Sequence, residues 1–255
     1  MTGLRAEGLQ FSYGKRLILR DMGFAPLQPG KLTALIGPNA SGKSTLFRVI
    51  ADLLRPSAGA VHLGDLDLRT LSSRKRLQQV CFMPQIFTAN AALTVFDVVM
   101  MAQKQLKGWR VSGEDIDAVA RALDTGGIGH LAEAYVSELS GGQSQMVSVV
   151  QALVRNSDVY LFDEPTSALD LRHQLDVLGR IKDAMAERGT IGVVALHDLN
   201  LAARFADHLI LLGGGRILAE GPPDEVLRSA AISETYGVDI EITRGPREDL
   251  LVHAY

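Results

Sequence analysis

The spacing of apolar residues changes several times along the chain, and each change marks an element. From Leu4 to Phe24 the pattern predicts short strands broken at Tyr13-Gly14-Lys15, and Pro29-Gly30 makes a turn. Leu32 to Ile36 is an unbroken apolar run of buried-strand length. Lys43 to Leu54 takes up helical spacing, Pro56 to Gly64 resembles a hairpin region, and Val80 to Met83 is a short strand stopped by Pro84. Between Gln85 and Ser137 helical spacing dominates. Ile116, Val119, Ala120 and Leu123 recur three and four apart with acids and Arg121 between them. Ser112 or Gly113 opens this helix, with Glu114 and Asp115 favourable in its first turn. This middle stretch reads as a helical subdomain inserted between two parts of a sheet.

The α/β alternation then resumes. Gly142 to Val154 reads as a helix, and Asp158 to Phe162 as a buried strand ending at Asp163-Glu164. Leu171, Leu175, Leu178, Ile181 and Met185 form a helical stripe, and Ile191 to Leu196 is a strand ending at His197. Gly213-Gly214-Gly215 is a hairpin turn, and Gly221-Pro222-Pro223 leads into a short helix. After Ser229 the chain reads as a tail carrying little chemistry.

Size and charge narrow the picture. The chain has 255 residues, enough for one large α/β domain or two modest lobes. A net charge of -3 and the lack of a long basic run argue against nucleic acid as the main ligand. The lone cysteine, Cys81, cannot form an internal disulfide; it fits a reducing compartment and reads as a small buried hydrophobe beside a strand. Met1 to Gln10 lacks the pattern of a secretion signal, and no run approaches the ~20 apolar residues that span a bilayer. The expectation is a protein soluble by itself that can sit on a membrane partner. No internal repeat or low-complexity tract is evident.

Three segments carry the chemistry. The first is Gly37-Pro38-Asn39-Ala40-Ser41-Gly42-Lys43-Ser44-Thr45, between a strand and a helix start. Gly37 and Gly42 let backbone N–H groups curl around an anion where a Cβ would clash. The helix start adds orphan donors and partial positive charge. Lys43 supplies a full charge for terminal phosphates, and the Ser44 hydroxyl can ligate Mg²⁺. The second is Val159 to Glu164, an apolar strand delivering two carboxylates at its C-terminal end, where ligands gather in a parallel sheet. Asp163 can hold Mg²⁺ beside Ser44, leaving Glu164 for an attacking water. The third is Leu139-Ser140-Gly141-Gly142-Gln143, a second anion-seeking helix start.

Together these segments resemble the ATP-binding cassette (ABC) family over nearly the whole chain. The resemblance implies a P-loop nucleoside triphosphatase: a mixed-sheet α/β core with an antiparallel β subdomain and an inserted α-helical subdomain. It implies one domain over residues 1–255. Residues 1–84 and 157–228 form the core with the β subdomain, 85–156 the helical subdomain with the signature Ser140 to Gln143, and 229–255 a C-terminal tail. By the same likeness Tyr13 matches the aromatic that stacks on adenine, and Gln85 the glutamine joining the metal site to the helical subdomain. Ser167-Ala168-Leu169-Asp170 matches the loop that crosses between subunits, and His197 the switch histidine that contacts the γ-phosphate. The implied machine is a head-to-tail dimer. ATP and Mg²⁺ held by Gly37 to Thr45, Asp163 and Gln85 of one copy are capped by Ser140 to Gln143 of the other, with Glu164 as general base.

A finer likeness points to importers of iron-siderophore, haem and cobalamin type. It rests on Ala40 in the phosphate loop, Leu169 to Gln174, the run from His197 through Asp207, and Tyr236-Gly237-Val238-Asp239. It implies permease subunits in the membrane, indirectly a substrate-binding protein, and a peripheral position on the cytoplasmic face of the inner (plasma) membrane. Thr94 to Met101 reads either as part of a groove for a permease helix or as subdomain core. The chain departs from the subgroup at Ser144, Met146 and Gln151, where basic residues are usual. Two other classes compete: a non-transport cassette that switches on ribosomes or DNA, and a P-loop kinase. The second has no use for Ser140 to Gln143.

Overall fold

The computed structural model describes residues 3–85, 92–104, 108 and 110–255. In chain order it begins with strands β1 (Leu4–Tyr13), β2 (Arg16–Leu27) and β3 (Leu32–Ile36), then helix α1 (Lys43–Ile50). Next come β4 (Ala58–Leu63), β5 (Leu66–Asp67), α2 (Ser73–Gln79) and β6 (Val80–Met83). Helices α3 (Val95–Lys104), α4 (Gly113–Thr125) and α5 (Gly141–Leu153) follow, then β7 (Val159–Asp163), α6 (Leu171–Arg188), β8 (Ile191–Ala195) and α7 (Leu199–Phe205). The chain closes with β9 (His208–Gly213), β10 (Arg216–Gly221), α8 (Pro223–Leu227), α9 (Ala230–Tyr236), β11 (Ile240–Arg244) and β12 (Leu250–Ala254).

The central sheet runs β10-β9-β3-β8-β7-β6. It is parallel except for β10, which returns antiparallel to β9. Its inner strands β3, β7 and β8 are buried on both faces, which explains their unbroken apolar runs. Alternation then sorts side chains between two cores. Ala34, Ile36, Tyr160, Phe162, Val194, Leu209 and Leu211 face the helices α5, α6 and α7. Leu35, Leu161, Val193, Ile210 and Leu212 face α1 and a second, antiparallel sheet of order β2-β1-β4-β5. This is the mixed sheet with an antiparallel layer and helices that the motifs implied.

Several elements differ from the sequence pattern. The first two strands are long rather than short, breaking only at Gly14-Lys15. Helix α1 stops at Ile50 instead of Leu54, because Asp52 enters the left-handed region at φ 62 and Leu53 and Leu54 turn back to the carbonyl of Arg48. The expected hairpin in Pro56 to Gly64 is a single strand, β4, pairing with β1 and turning only at Gly64-Asp65 into β5. Ser112 is the cap of α4, in a reciprocal capping box with Asp115. Lys104 also pairs with Asp115 at 2.9 Å. The buried face of α4 is Asp115, Val119 and Leu123, so Ile116 and Ala120 lie outside. Leu171 likewise opens α6 exposed, and burial begins at Val177. Helix α2 has almost no apolar pattern; buried Arg76 anchors it through the carbonyls of Leu68 (2.8 Å) and Ile50 (3.3 Å). The stretch after Ser229 folds into α9 and the β11–β12 hairpin. Cys81 is buried within β6. Among the described residues no helix is long and apolar enough to cross a membrane.

Candidate functional site

The phosphate-type loop leaves β3 and enters α1. Gly37 sits at φ 145, and a Cβ there would lie 2.2 Å from the carbonyl oxygen of Leu212, so only glycine fits. Gly42, at φ 111, occupies the cap position of α1 without offering a side chain to the first-turn N–H groups. Those donors remain free for an anion. Ala40 takes the left-handed region at φ 61, a conformation costing roughly 1–2 kcal/mol for a residue with a Cβ. Lys43 is buried, and its Nζ donates to the carbonyls of Gly37 (2.7 Å) and Pro38 (3.1 Å). Burial lowers its pKa, against the raising pull of Glu164 and Asp163. The amine is therefore folded onto the loop it serves. Ser41 Oγ is buried and has no hydrogen-bond partner among the described residues.

The end of β7 brings the acids to this loop. Ser44 Oγ donates to Asp163 Oδ1 at 3.1 Å. Asp163 is buried, and desolvation raises its pKa against the Ser44 hydrogen bond. Oxygen donors from a serine and a carboxylate, with a glutamine amide close by, are the chemistry a Mg²⁺–phosphate complex takes. Glu164 follows in the left-handed region at φ 52. Its Oε2 accepts from Gln85 Nε2 at 2.6 Å, and its Oε1 pairs with His197 Nε2. Residues 85, 164 and 197, far apart in sequence, thus meet on one carboxylate. The cause is topological: β6, β7 and β8 are neighbouring parallel strands, and each residue follows the C-terminal end of one.

Gln145 belongs to this site and escaped the sequence reading. It is buried on α5, and its Nε2 donates to the backbone carbonyl of Glu164 at 3.0 Å. Its signal was a glutamine on the apolar side of a helix, which becomes legible only once β7 is seen beneath it.

The second glycine motif is a well-capped helix start. Ser140 caps α5 in a reciprocal box with Gln143 (Ser140 N to Gln143 Oε1 2.9 Å, Gln143 N to Ser140 Oγ 3.3 Å). Gly142 is close-packed, since a Cβ there would stand 3.3 Å from the carbonyl of Ala168. A cleft of 480 Å³ joins Ser140, Gly142 and Gln143 to Ala168, Leu169 and Asp170. Asp170 caps α6 through His173 N (2.9 Å). Among the described residues, the side-chain hydrogen bonds of Ser140 and Gln143 are made with each other. Tyr13 stands half exposed at the end of β1, edge-on to Phe11 with centroids 4.9 Å apart. Two of the subgroup departures tie the helices together: Met146 is buried, and Gln151 Nε2 donates to the Val98 carbonyl at 3.0 Å, joining α5 to α3. Val95, Val98, Val99 and Met100 are buried in the core, while Met101 is exposed.

Comparison with known proteins gives these features a setting. The family model described as ABC transporter matches residues 19–167. The iron(3+)-hydroxamate import ATP-binding protein FhuC of Bacillus subtilis (strain 168) is 35% identical over 249 residues, spanning 97% of this chain and 92% of its own. The ferric enterobactin transport ATP-binding protein FepC of Escherichia coli (strain K12) is 36% identical over 95% of this chain and 90% of its own. The hemin import ATP-binding protein HmuV of Thermobifida fusca (strain YX) is 37% identical over 96% and 85%. Among solved structures, the inward-facing conformation of an ABC transporter assigned to the metal-chelate type superposes with a TM-score of 0.83 at 26% identity, covering 100% of this chain and 97% of that one. A dimeric post-hydrolysis state of the ATP-binding cassette MJ0796, bound to ADP and Pi, gives a TM-score of 0.78 at 26% identity, covering 86% and 98%.

Proposed function

The chain belongs to the ABC transporter family, and from that premise we propose that it is the ATP-hydrolysing subunit driving an importer of iron-siderophore, haem or cobalamin-type chelates. The observation that carries the reading is the Glu164 carboxylate, held by Gln85 and His197 beside the Ser44–Asp163 pair and the Lys43 loop. The names of FhuC, FepC and HmuV support the cargo class. The partners follow from the same reading: a second copy of the chain, permease subunits in the membrane and, through them, a substrate-binding protein. The chain then sits peripherally on the cytoplasmic face of the inner membrane.

ATP lies with its phosphates in the cradle from Gly37 to Thr45 and its adenine on Tyr13. Lys43 exchanges the carbonyls of Gly37 and Pro38 for phosphate oxygens, so the amine is delivered already desolvated. Ser44, Asp163 and Gln85 would hold Mg²⁺, and the ion would supply positive charge to offset that of the phosphates. Gln85 and His197 engage both oxygens of Glu164. His197 and Gln85 turn to the γ-phosphate and to the metal site, and the freed carboxylate accepts a proton from the attacking water. Ser140 to Gln143 of the second copy close over the γ-phosphate with their helix-start donors, completing the surroundings of the transferred group. ATP drives closure through its higher affinity for the closed dimer, and hydrolysis reverses it.

The domain division proposed here keeps residues 85–156 as the moving helical unit on a core of 1–84 and 157–228. Uptake of labelled ferric siderophore, haem and cobalamin by cells lacking the chain, with and without its return, tests the cargo. One of these is expected to depend on the chain and on Glu164. Normal uptake of all three, together with co-sedimentation of the chain with ribosomes, would overturn the importer reading.

A further inference from the structure

The segment that follows His197 is tied to the C-terminal hairpin. Asn200 lies in the first turn of α7. Its Nδ2 donates to the carbonyl of Val252 at 3.2 Å, and its Oδ1 accepts from the N–H of Val252 at 2.8 Å. A side-chain amide thus stands in for a neighbouring strand along the edge of β12. Val252 faces Ile242 in the β11–β12 ladder. Since both backbone groups of Val252 go to Asn200, this is a pair that exchanges no ladder hydrogen bonds.

The hairpin is itself anchored. Ile240, Ile242, Leu250 and Val252 pack on the main core. Arg228 Nη1 donates to the Ile242 carbonyl at 3.3 Å, and Tyr255 N–H closes the ladder onto the Asp239 carbonyl at 2.9 Å. On the other side, Asp198 Oδ1 accepts from the N–H groups of Asn200 (2.7 Å) and Leu201 (3.0 Å). The polypeptide carrying His197 is therefore held behind by β8 and ahead by this cap and hook.

We propose that Asn200 is a positioning residue for His197, and that the C-terminal hairpin is the fixed post to which it ties the start of α7. The proposal rests on the reading of His197 as a group of the hydrolytic site. The side-chain hydrogen bonds of Asn200 go to Val252 rather than to Glu164; it acts by limiting where His197 can stand. Its loss lowers turnover without weakening ATP binding, because the loop from Gly37 to Thr45 is held by other contacts.

Two variants of the full chain test this by steady-state phosphate release across ATP concentrations, with thermal unfolding alongside. Asn200→Leu removes both hydrogen bonds. Val252→Pro removes the N–H that Asn200 accepts and leaves the Val252 carbonyl in place, at an edge position where proline is tolerated; it decides the matter if Asn200→Leu fails to fold. Val252→Pro is expected to lower kcat about fivefold, the equivalent of about one lost hydrogen bond, and Asn200→Leu, which loses two, by up to about 30-fold, with KM for ATP unchanged in both. On a His197→Ala background neither is expected to slow turnover further. A role in stability alone would lower Tm and act equally on both backgrounds, and that result, or an unchanged kcat in both variants, would overturn the proposal. If His197→Ala itself leaves kcat unchanged, the reading of His197 falls and the inference with it. If His197→Ala slows turnover and the two variants do not, only the inference falls.

Discussion

Gln145 holds the backbone of Glu164 in a conformation it would otherwise leave. Glu164 sits at φ 52, where an L-residue is disfavoured by roughly 1–2 kcal/mol. The amide of Gln145 reaches its carbonyl at 3.0 Å, and a hydrogen bond of this kind contributes about 1 kcal/mol net. Replacing Gln145 by leucine keeps the buried volume on α5 and removes the donor. The carbonyl then loses its partner while the strain remains, so the balance moves by about 1–2 kcal/mol toward a relaxed backbone, a factor of roughly 5–30 in population. Gln145→Leu is expected to lower kcat by that factor with KM for ATP unchanged. Steady-state phosphate release across ATP concentrations, with Tm measured in parallel, is the assay. A folded Gln145→Leu protein with wild-type kcat would refute the reasoning. A raised KM at constant kcat would move the effect of Gln145 to nucleotide binding.

Lys43→Ala removes a charged donor worth about 1.5–3 kcal/mol to a phosphate, so ATP affinity in a direct titration should fall roughly 10- to 150-fold; an unchanged Kd would contradict the place given to Lys43. Burial raises the pKa of Asp163 above its ordinary value, so ionising it costs the fold stability. Its contribution to stability is complete below the ordinary aspartate pKa and is lost as pH rises through the raised folded value. Asp163→Asn should therefore raise the nucleotide-free Tm at neutral pH, with little gain in acid, while abolishing Mg²⁺-dependent hydrolysis; a lowered Tm at neutral pH would count against it. Gly37→Ala drives a Cβ to 2.2 Å from the Leu212 carbonyl and should abolish ATP binding, whereas Ala40→Gly relieves a left-handed alanine and should retain it. Equal affinities in the two variants would contradict the account of the loop.

The strands of the central sheet were legible because burial on both faces writes continuous apolar runs such as Leu32 to Ile36 and Val159 to Phe162. The phosphate loop was legible because its glycines are required by geometry, as the contact of Gly37 with Leu212 makes plain. Helix α2 was not, because the sequence Ser-Arg-Lys-Arg-Leu-Gln-Gln is fixed by Arg76 reaching backbone carbonyls rather than by an apolar stripe. The face of α4 was misjudged because an acid, Asp115, is turned inward to Lys104 and Ser112 while Ile116 stays outside. Gln145 and Asn200 were hidden for a shared reason. Each acts on a backbone group distant in sequence, at Glu164 and Val252, and no local pattern records such a pairing.

ATP-dependent association of the Glu164→Gln protein measures the central claim most directly. Light scattering on a sizing column, with a spin label beside Ser140 and a labelled nucleotide in the loop from Gly37 to Thr45, reads both the stoichiometry and the distance across the interface. The account predicts monomers without nucleotide and dimers with ATP, each nucleotide lying within contact range of the partner copy's signature helix. A protein that binds ATP yet stays monomeric, or a dimer in which the nucleotide remains remote from that helix, would contradict it.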